Sequence, residues 1–311
     1  MNKIANRQVM CETLIDEAKQ NQDIVVLTSD SRGSASLVAF AESQPKQMIE
    51  VGIAEQNIVS IAAGLAHSGK RPFVASPACF LSMRSIEQIK VDVAYSNTNV
   101  KLIGISGGVS YGALGMSHHS LQDIAVTRAI PNLQVIIPAD RFETKAVFRY
   151  LAQSDQPAYV RLGRNPVEDC YQAELTDFEV GKAVTMRNGN DVTLIATGET
   201  VRVALDAATD LEAQGLSVRV LNMHTIKPLD QKAIVKAATE TKLIITLEEH
   251  SIYSGLGAAV AEVVSANRDG AAVKILGIAD EPAVTGKTKE IFDHYGLSTE
   301  NIKQIVTEHL L

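Results

Sequence analysis

Residues 51–75, VGIAEQNIVSIAAGLAHSGKRPFVA, place a run of small and apolar residues directly before a short β-rich segment. The part near 55–68 predicts a helix packed on a core, and Pro72–Ala75 predicts a buried strand. Glu55 is the single carboxylate of this stretch and stands where the helix begins. An acid at that position either caps the helix or transfers a proton, and the local pattern leaves both open.

The alternation of helix and strand continues along the whole chain. Before residue 165 the pattern predicts strands at 23–28, 72–75, 100–105, 135–137 and 158–162, with helices near 5–20, 55–68, 80–96, 121–129 and 141–153. After residue 190 it predicts strands at 192–196, 217–221, 243–247 and 273–277, with helices between them. We therefore expect an α/β fold of two domains, 1–165 and 190–311, with mostly parallel sheets flanked by helices. Residues 166–189 are polar and turn-rich and predict a linker.

Composition and charge argue against several classes of protein. The chain has 311 residues, 46% of them hydrophobic, which is enough for a sizeable core. Its formal net charge of −7 argues against nucleic acid and anionic membranes as partners. No apolar run approaches the roughly 20 residues that span a bilayer, and the N-terminus predicts an amphipathic helix, not a secretory signal. Three widely spaced cysteines suit a reducing cytoplasm, without a disulfide framework or a metal site.

Several nucleotide-binding and hydrolase motifs are missing or incomplete. The chain lacks GxxxxGK[ST], and Gly255-Leu256-Gly257 lacks the third glycine of a dinucleotide fingerprint. Residues 104–108, GISGG, fit the GxSxG pattern of a nucleophile elbow, which requires a helix directly after the serine. A glycine-rich loop follows instead, so we do not expect a hydrolase.

That glycine-rich loop ends in two histidines, His118 and His119. Glycines let a backbone approach a ligand closely, and a histidine beside a helix start can donate to an anion or an oxyanion. The alternative is that one histidine caps the helix near 121–129 and the other is solvated. The glycine run favours a functional role for at least one of them.

Other candidate residues follow the predicted strands, because the carboxyl ends of parallel strands share one ligand-binding edge of a sheet. Asp30 follows the first strand, and Arg161 and Arg164 follow the last strand of the first domain. A guanidinium there either clamps a phosphate or forms an ordinary salt bridge, and the spacing leaves both open. Phe80, taken alone, predicts ordinary core.

The order of these segments resembles the transketolase family. GIAEQN, PFVASPACF, the loop ending in SHH, IPNLQVIIPAD and PAYVRLGRN are similar to the pyrimidine-binding domain of transketolases. TLIATGETV, VLNMHTIKPLD and LEEHSIYSGLG are similar to their C-terminal domain. Deoxyxylulose-phosphate synthase and the β subunits of 2-oxo-acid dehydrogenases share this architecture but are less similar over residues 131–165.

The resemblance also implies a partner chain. A full transketolase has a diphosphate-binding domain with a GDG…N signature, and this chain has no GDG. The resemblance therefore implies the C-terminal subunit of a split transketolase, whose partner binds most of the Mg²⁺ and the diphosphate. We expect a cytoplasmic heterotetramer, self-associating through both domains, with thiamine diphosphate across each interface. Such an enzyme moves a two-carbon ketol unit from a ketose phosphate to an aldehyde acceptor.

The resemblance further assigns roles to cofactor-binding residues. Glu55 matches the activating glutamate, whose carboxyl hydrogen-bonds to the pyrimidine N1′ and lets the 4′-amino group become the imino base that deprotonates C2. Phe80 matches the aromatic that stacks on the pyrimidine, and Asp30 matches a residue that meets the cofactor across the interface. Pro77 and Met83 stand at two neighbouring positions that are aromatic in the family, so we expect fewer aromatic rings around the pyrimidine.

Substrate-binding residues are implied in the same way. His118 matches the histidine that binds the carbonyl and hydroxyl oxygens of the donor, and Arg164 and Ser34 match positions that bind its terminal phosphate. The resemblance brings no metal-binding residue to this chain.

Two substrate positions depart from the family pattern. Leu114 replaces an acidic residue that hydrogen-bonds to a hydroxyl of the donor, and Ser106 replaces a phosphate-binding histidine. Leaving that hydroxyl unpaired costs about 1–3 kcal/mol. This predicts a donor other than xylulose 5-phosphate, or a replacement partner for the hydroxyl such as His119.

Two alternatives to a transketolase subunit stay open. A β subunit of a 2-oxo-acid dehydrogenase would share Glu55 but would need a lipoyl-domain partner and no sugar-phosphate arginine. A non-catalytic scaffold subunit would keep the fold without the chemistry. The substitutions at Leu114 and Ser106 favour the scaffold, whereas the presence of Glu55, Phe80 and His118 opposes it.

Overall fold

Helices and strands alternate along the chain, and a computed structural model describes them for residues 3–267 and 270–310. The strands are β1 (Lys3–Ala5), β2 (Ile24–Thr28), β3 (Met48–Glu50), β4 (Arg71–Pro77), β5 (Lys101–Ile105), β6 (Gln134–Ile136), β7 (Ala158–Leu162), β8 (Pro166–Glu168), β9 (Val184–Arg187), β10 (Val192–Ala196), β11 (Val218–Asn222), β12 (Thr225–Lys227), β13 (Leu243–Ser251) and β14 (Ala272–Ile278). The α-helices are α1 (Asn6–Gln20), α2 (Val38–Ser43), α3 (Glu55–His67), α4 (Ala78–Arg84), α5 (Ile86–Gln88), α6 (Asp123–Ala129), α7 (Arg141–Gln153), α8 (Thr200–Glu212), α9 (Gln231–Glu240), α10 (Leu256–Ser265), α11 (Thr288–His294) and α12 (Thr299–Leu310). Tighter 3₁₀ turns lie at Pro45–Gln47 and Gly112–Ser117, and a π-helix at Ile89–Tyr95.

The first large sheet has seven strands in the order β12-β6-β7-β5-β4-β2-β3. All its neighbouring pairs are parallel except β12 with β6. Every residue of β2, β5 and β7 is buried, as expected when helices cover both faces of a parallel sheet. The second sheet has five strands in the order β14-β13-β10-β11-β9, with β9 antiparallel to β11 and the others parallel. The predicted α/β fold is therefore confirmed.

Alternate residues of the first sheet pack on opposite layers of helices. Val26, Phe73 and Ile103 belong to the core with α1 and α7. Leu27 and Val74 belong instead to the core that includes the apolar face of α3. The apolar residues after Glu55 thus fix α3 against the sheet and hold Glu55 near the carboxyl ends of the strands.

Two parts of the chain differ from the sequence prediction. The helix predicted near 80–96 is divided into α4, α5 and the π-helix. The predicted linker, 166–189, contains β8, which pairs with β1, and β9, which forms an edge of the second sheet. Both strands are three or four residues long and pair with distant partners, so local periodicity does not reveal them. The boundaries at 165 and 190 stay a prediction.

Several contacts join the two halves of the chain, and three of them come from different elements. Strand β12 leaves the second half and pairs with β6 of the first sheet. Asn222 Nδ2 donates to Glu143 Oε1 at 2.8 Å, and both residues are buried. Arg161, on β7, lies with its guanidinium 3.5 Å from the carboxylate of Glu249, on β13.

Candidate active site

Glu55 is the first residue of α3 and is only 6% exposed. Ala54 stands at the N-cap position, and no side chain caps this helix. The Glu55 carboxylate accepts a hydrogen bond instead from Arg84 Nη1, at 3.0 Å from Oε1. The helix-cap alternative is therefore not what the structure shows. The Glu55 carboxylate lies at the N-terminal end of α3 and bonds to the side chain of Arg84.

Phe80 supplies a flat face beside Glu55. The half-buried ring lies on α4, and the guanidinium carbon of Arg84 stands over it at 4.0 Å from the ring centroid. The His118 ring meets the same phenyl ring edge-on, with centroids 5.3 Å apart. The structure thus brings three separate segments together: Arg84 connects Glu55 with Phe80, and Phe80 contacts His118.

The loop between β5 and α6 turns sharply where the sequence supplies glycines. Gly108, Gly112 and Gly115 all have positive φ angles, and Gly108 and Ser120 pair across the base of the loop. A Cβ on Gly112 would lie 2.5 Å from the carbonyl oxygen of Gly286, so the loop packs tightly against the C-terminal half. This folding projects the end of the loop toward Phe80.

The two histidines of the loop differ in environment. His118 is half-buried, its Nδ1 lies 3.0 Å from Ser117 Oγ, and its ring is 5.4 Å from that of Tyr111. His119 is 3% exposed, and its Nε2 lies 3.0 Å from the carbonyl oxygen of Gly112. Burial lowers the pKa of His119, which favours the neutral ring. His119 thus stabilises the loop, and its burial disfavours it as the replacement partner for a donor hydroxyl.

The departures from the family pattern lie in different parts of this loop. Ser106 is buried at the end of β5, and its Oγ has no hydrogen-bond partner among the described residues. Leu114 and Met116 project from the surface, at 53% and 60% exposure. The surface of the loop is therefore apolar at Leu114, the position at which the family pattern has a carboxylate.

Two arginines, Arg164 and Arg7, lie near Tyr111, whose ring also contacts His118. The guanidinium carbon of Arg164 is 5.2 Å from the centroid of the Tyr111 ring. Arg7, on α1, donates to the carbonyl oxygens of Arg164 at 3.1 Å and Ser34 at 2.6 Å. Burial and then the charge of Arg164 lower the pKa of Arg7. The buried Nη1 of Arg164 has no hydrogen-bond partner among the described residues, so an anion beside Arg164 would supply one.

The sequence alone did not single out Arg7, Arg84 or Tyr111. Arg84 follows Phe80 by four residues, a spacing that places two side chains on one face of a helix. That spacing was a usable signal. Arg7 lies 157 residues from Arg164, and only the fold brings them together.

Asp30 and Arg161 stand apart from this group. Asp30 is exposed at the end of β2 with a positive φ angle, and its backbone amide donates to Glu50 Oε1 at 2.7 Å. The structure does not join it to Glu55 or Phe80, so its predicted role at an interface stays a prediction. Arg161 is 4% exposed and lies near both Asp123 and Glu249, so it does not face a phosphate.

The described part of the chain offers neither a metal-binding cluster nor a membrane-spanning helix. Residues 3–267 and 270–310 contain no group of three or more His, Cys, Asp or Glu side chains able to hold a metal ion. Over the same ranges, no helix is both long and apolar enough to cross a membrane.

Each half of this chain matches a transketolase domain, and two curated proteins are similar over nearly the whole chain. Residues 2–168 match the transketolase pyrimidine binding domain, and residues 181–302 match the transketolase C-terminal domain. A subunit of the apulose-4-phosphate transketolase of Phocaeicola vulgatus is 50% identical over 99% of this chain and 98% of its own length. The 6-deoxy-6-sulfo-D-fructose transketolase subunit SqwH of a Clostridium species is 35% identical, over 97% of this chain and 93% of its own.

A solved structure agrees with these relatives. It is described as a split gene transketolase, inactive β4 tetramer, with a TM-score of 0.89 and 35% identity, covering 99% of this chain and 98% of that one. These matches favour the transketolase interpretation over the dehydrogenase alternative. The chain belongs to the transketolase family, as a subunit that carries the pyrimidine-binding and C-terminal domains of a split enzyme.

Proposed function

We propose that this subunit supplies the pyrimidine-binding half of a thiamine diphosphate site and that Glu55 is its proton-transferring acid. The observation that carries the proposal is the slot between Glu55 and Phe80. A single flat guanidinium contacts both, with 3.0 Å to the carboxylate and 4.0 Å to the ring centroid. An aminopyrimidine is also flat and can use the same two contacts, so the residues fit this cofactor.

Each side chain of the slot has a defined task. Thiamine diphosphate, when bound, supplies the electron sink for breaking a carbon–carbon bond beside a carbonyl. Glu55 would hold a proton at the pyrimidine N1′, and its 6% exposure keeps water from competing for it. Phe80 would fix the plane of the pyrimidine by stacking. His118, whose ring contacts Phe80, would donate to or accept from the oxygens of the donor next to the reacting carbon.

The arginine pair would hold the other end of the donor. Arg164 and Arg7 offer two guanidiniums beside Tyr111, and the backbone of Ser34 is fixed by Arg7. Guanidinium groups bind phosphate oxygens through two parallel hydrogen bonds, which gives orientation as well as affinity. We therefore add Arg7 to Arg164 and Ser34 as the phosphate-binding group.

The donor is proposed to be an atypical ketose phosphate. Leu114 presents a methyl-rich surface where a carboxylate would bind a hydroxyl, and it is exposed enough to contact a ligand. Relatives of this chain carry the names of apulose 4-phosphate and 6-deoxy-6-sulfo-D-fructose transketolases, which supports a departure from common donors.

Replacing Leu114 by Asp tests this specificity. Restoring a hydroxyl partner is expected to raise kcat/KM for xylulose 5-phosphate by about 5- to 150-fold, since an unpaired hydroxyl costs about 1–3 kcal/mol. The matched control is Met116→Asp, the same kind of exchange at another exposed position of the loop. Rapid turnover of xylulose 5-phosphate by the unchanged enzyme would contradict the proposed specificity.

We also propose that the active enzyme is a heterotetramer with a diphosphate-binding partner, which supplies most of the Mg²⁺ site. The partner would contact the apolar surface beside Glu55 and Arg84, where Ile53 and Met83 are 75% and 51% exposed. The solved relative is described as an inactive β4 tetramer, which supports both self-association and the need for a partner. The cytoplasmic location stays a prediction.

Cofactor binding by the separate and combined chains tests the proposed function. Thiamine diphosphate and Mg²⁺ are titrated by calorimetry into this chain, into a diphosphate-binding partner, and into their mixture. We expect tight binding, and ketol transfer, only with the mixture, because each chain holds one end of the cofactor. Equally tight binding by this chain alone would refute the shared site, and a mixture that binds without transferring a ketol would favour the scaffold alternative.

A further inference from the structure

Arg84 makes two contacts that no role described so far requires. It lies at the end of α4, and its Nη1 donates to Glu55 Oε1 at 3.0 Å. Its guanidinium covers one face of Phe80 at 4.0 Å from the ring centroid. A cation over an aromatic face is attracted by the electrons of the ring, so these contacts reinforce each other. Together they place a flat, positively charged group between the acid and the aromatic.

The same two contacts are those that the proposed function gives to the cofactor. An aminopyrimidine must stack on Phe80 and must reach Glu55. A guanidinium centred 4.0 Å from the ring leaves no room for a second flat group on that face within reach of the same carboxylate. Arg84 and the pyrimidine therefore exclude each other.

We propose that Arg84 is a gate residue: it occupies the place of the pyrimidine and must swing into solvent before thiamine diphosphate can bind. This inference rests on the proposed function, because it takes the slot to be the pyrimidine site. The side chain is suited to such a movement, since it is 49% exposed and has a long flexible stem. A half-exposed ion pair of this kind is weak, so the gate delays the cofactor without blocking it.

The expected size of the effect follows from the fraction of open sites. When a competing side chain fills the site most of the time, the apparent Kd is the intrinsic Kd divided by the open fraction. One half-exposed ion pair and one cation–π contact together correspond to about a three- to thirtyfold effect. Removing the guanidinium should recover that factor in cofactor affinity.

The test compares Arg84→Ala, Arg84→Lys and Arg149→Ala in the complex with the diphosphate-binding partner. Arg149 is a matched control, because it is 47% exposed and its Nη1 pairs with Glu174 at 3.1 Å, much as Arg84 pairs with Glu55. The Kd of thiamine diphosphate with Mg²⁺ is measured by calorimetry, and the association rate by stopped-flow spectroscopy. Unfolding temperatures of all variants confirm that they are folded.

We expect Arg84→Ala to bind thiamine diphosphate about three- to thirtyfold more tightly and to associate faster. Arg84→Lys should lie between it and the unchanged enzyme, because an ammonium can pair with Glu55 but cannot stack as a plane. Arg149→Ala should have no effect. Unchanged or weaker binding by Arg84→Ala would overturn the inference, as would equal tightening by Arg149→Ala. If the unchanged complex bound no thiamine diphosphate, the proposed function itself would fail, and the gate with it.

Discussion

Replacing Glu55 by Gln is expected to lower kcat for ketol transfer by about 10²- to 10⁴-fold, the usual contribution of a positioned acid–base group. Glutamine keeps the length and shape of the side chain, so it can remain beside Phe80. It cannot give up or take back a proton at the pyrimidine N1′. The loss should therefore fall on kcat in single-turnover experiments at saturating thiamine diphosphate, with a smaller change in cofactor affinity.

A suitable control for this experiment is Glu174→Gln. Glu174 is 53% exposed and pairs with Lys145 and Arg149, which lie in α7 and have no part in the slot. The same change of charge at that position should leave kcat unaltered. A Glu55→Gln enzyme with a rate within about threefold of the unchanged enzyme would contradict the proton-transfer role.

Replacing Arg164 or Arg7 by Ala is expected to lower kcat/KM for a phosphorylated donor by about 10- to 150-fold. Each change removes a charge-assisted hydrogen-bonding group, and such groups contribute about 1.5–3 kcal/mol. Because the two guanidiniums would hold one phosphate, their effects should not add, and the double variant should lose less than the product of the single losses.

The dephosphorylated form of the same ketose separates phosphate binding from structural damage. Arg7 also bonds to two backbone carbonyls, so its removal could disturb the loop at Ser34. If the arginines bind phosphate, the single variants should resemble the unchanged enzyme with the dephosphorylated ketose. Equal losses with both donors would show that the arginines act only on the fold. Arg149→Ala serves again as the distant control.

The fold was predictable because burial makes its elements visible in the sequence. Strands β2, β5 and β7 are covered on both faces, and each is a short run in which apolar residues dominate, although β5 begins with Lys101 and β7 contains Arg161. The missed elements are those in which local pattern carries little signal. Strand β8 exists because β1 lies beside it, and the π-helix after α5 breaks a region that still has helical periodicity.

The candidate site was predictable only in part, and the resemblance to transketolases supplied most of it. Glu55 was visible as a lone acid before an apolar helix, but its surroundings in the sequence allowed a cap as readily as a proton carrier. The loop pattern could not say which histidine is buried, since that depends on the carbonyl of Gly112 folding back onto His119. Arg7 could not be recognised at all, because its partner Arg164 lies 157 residues away, after β7.

The pairing of β12 with β6 has a consequence for how this protein can be divided. A fragment ending near residue 165 would leave the backbone groups of β6 facing solvent along the edge that Thr225 and Lys227 now cover. An open edge of buried hydrophobic strands invites pairing with other chains. The pyrimidine-binding half and the C-terminal half are thus one unit for expression, for domain exchange between relatives, and for the engineering of new donor specificities.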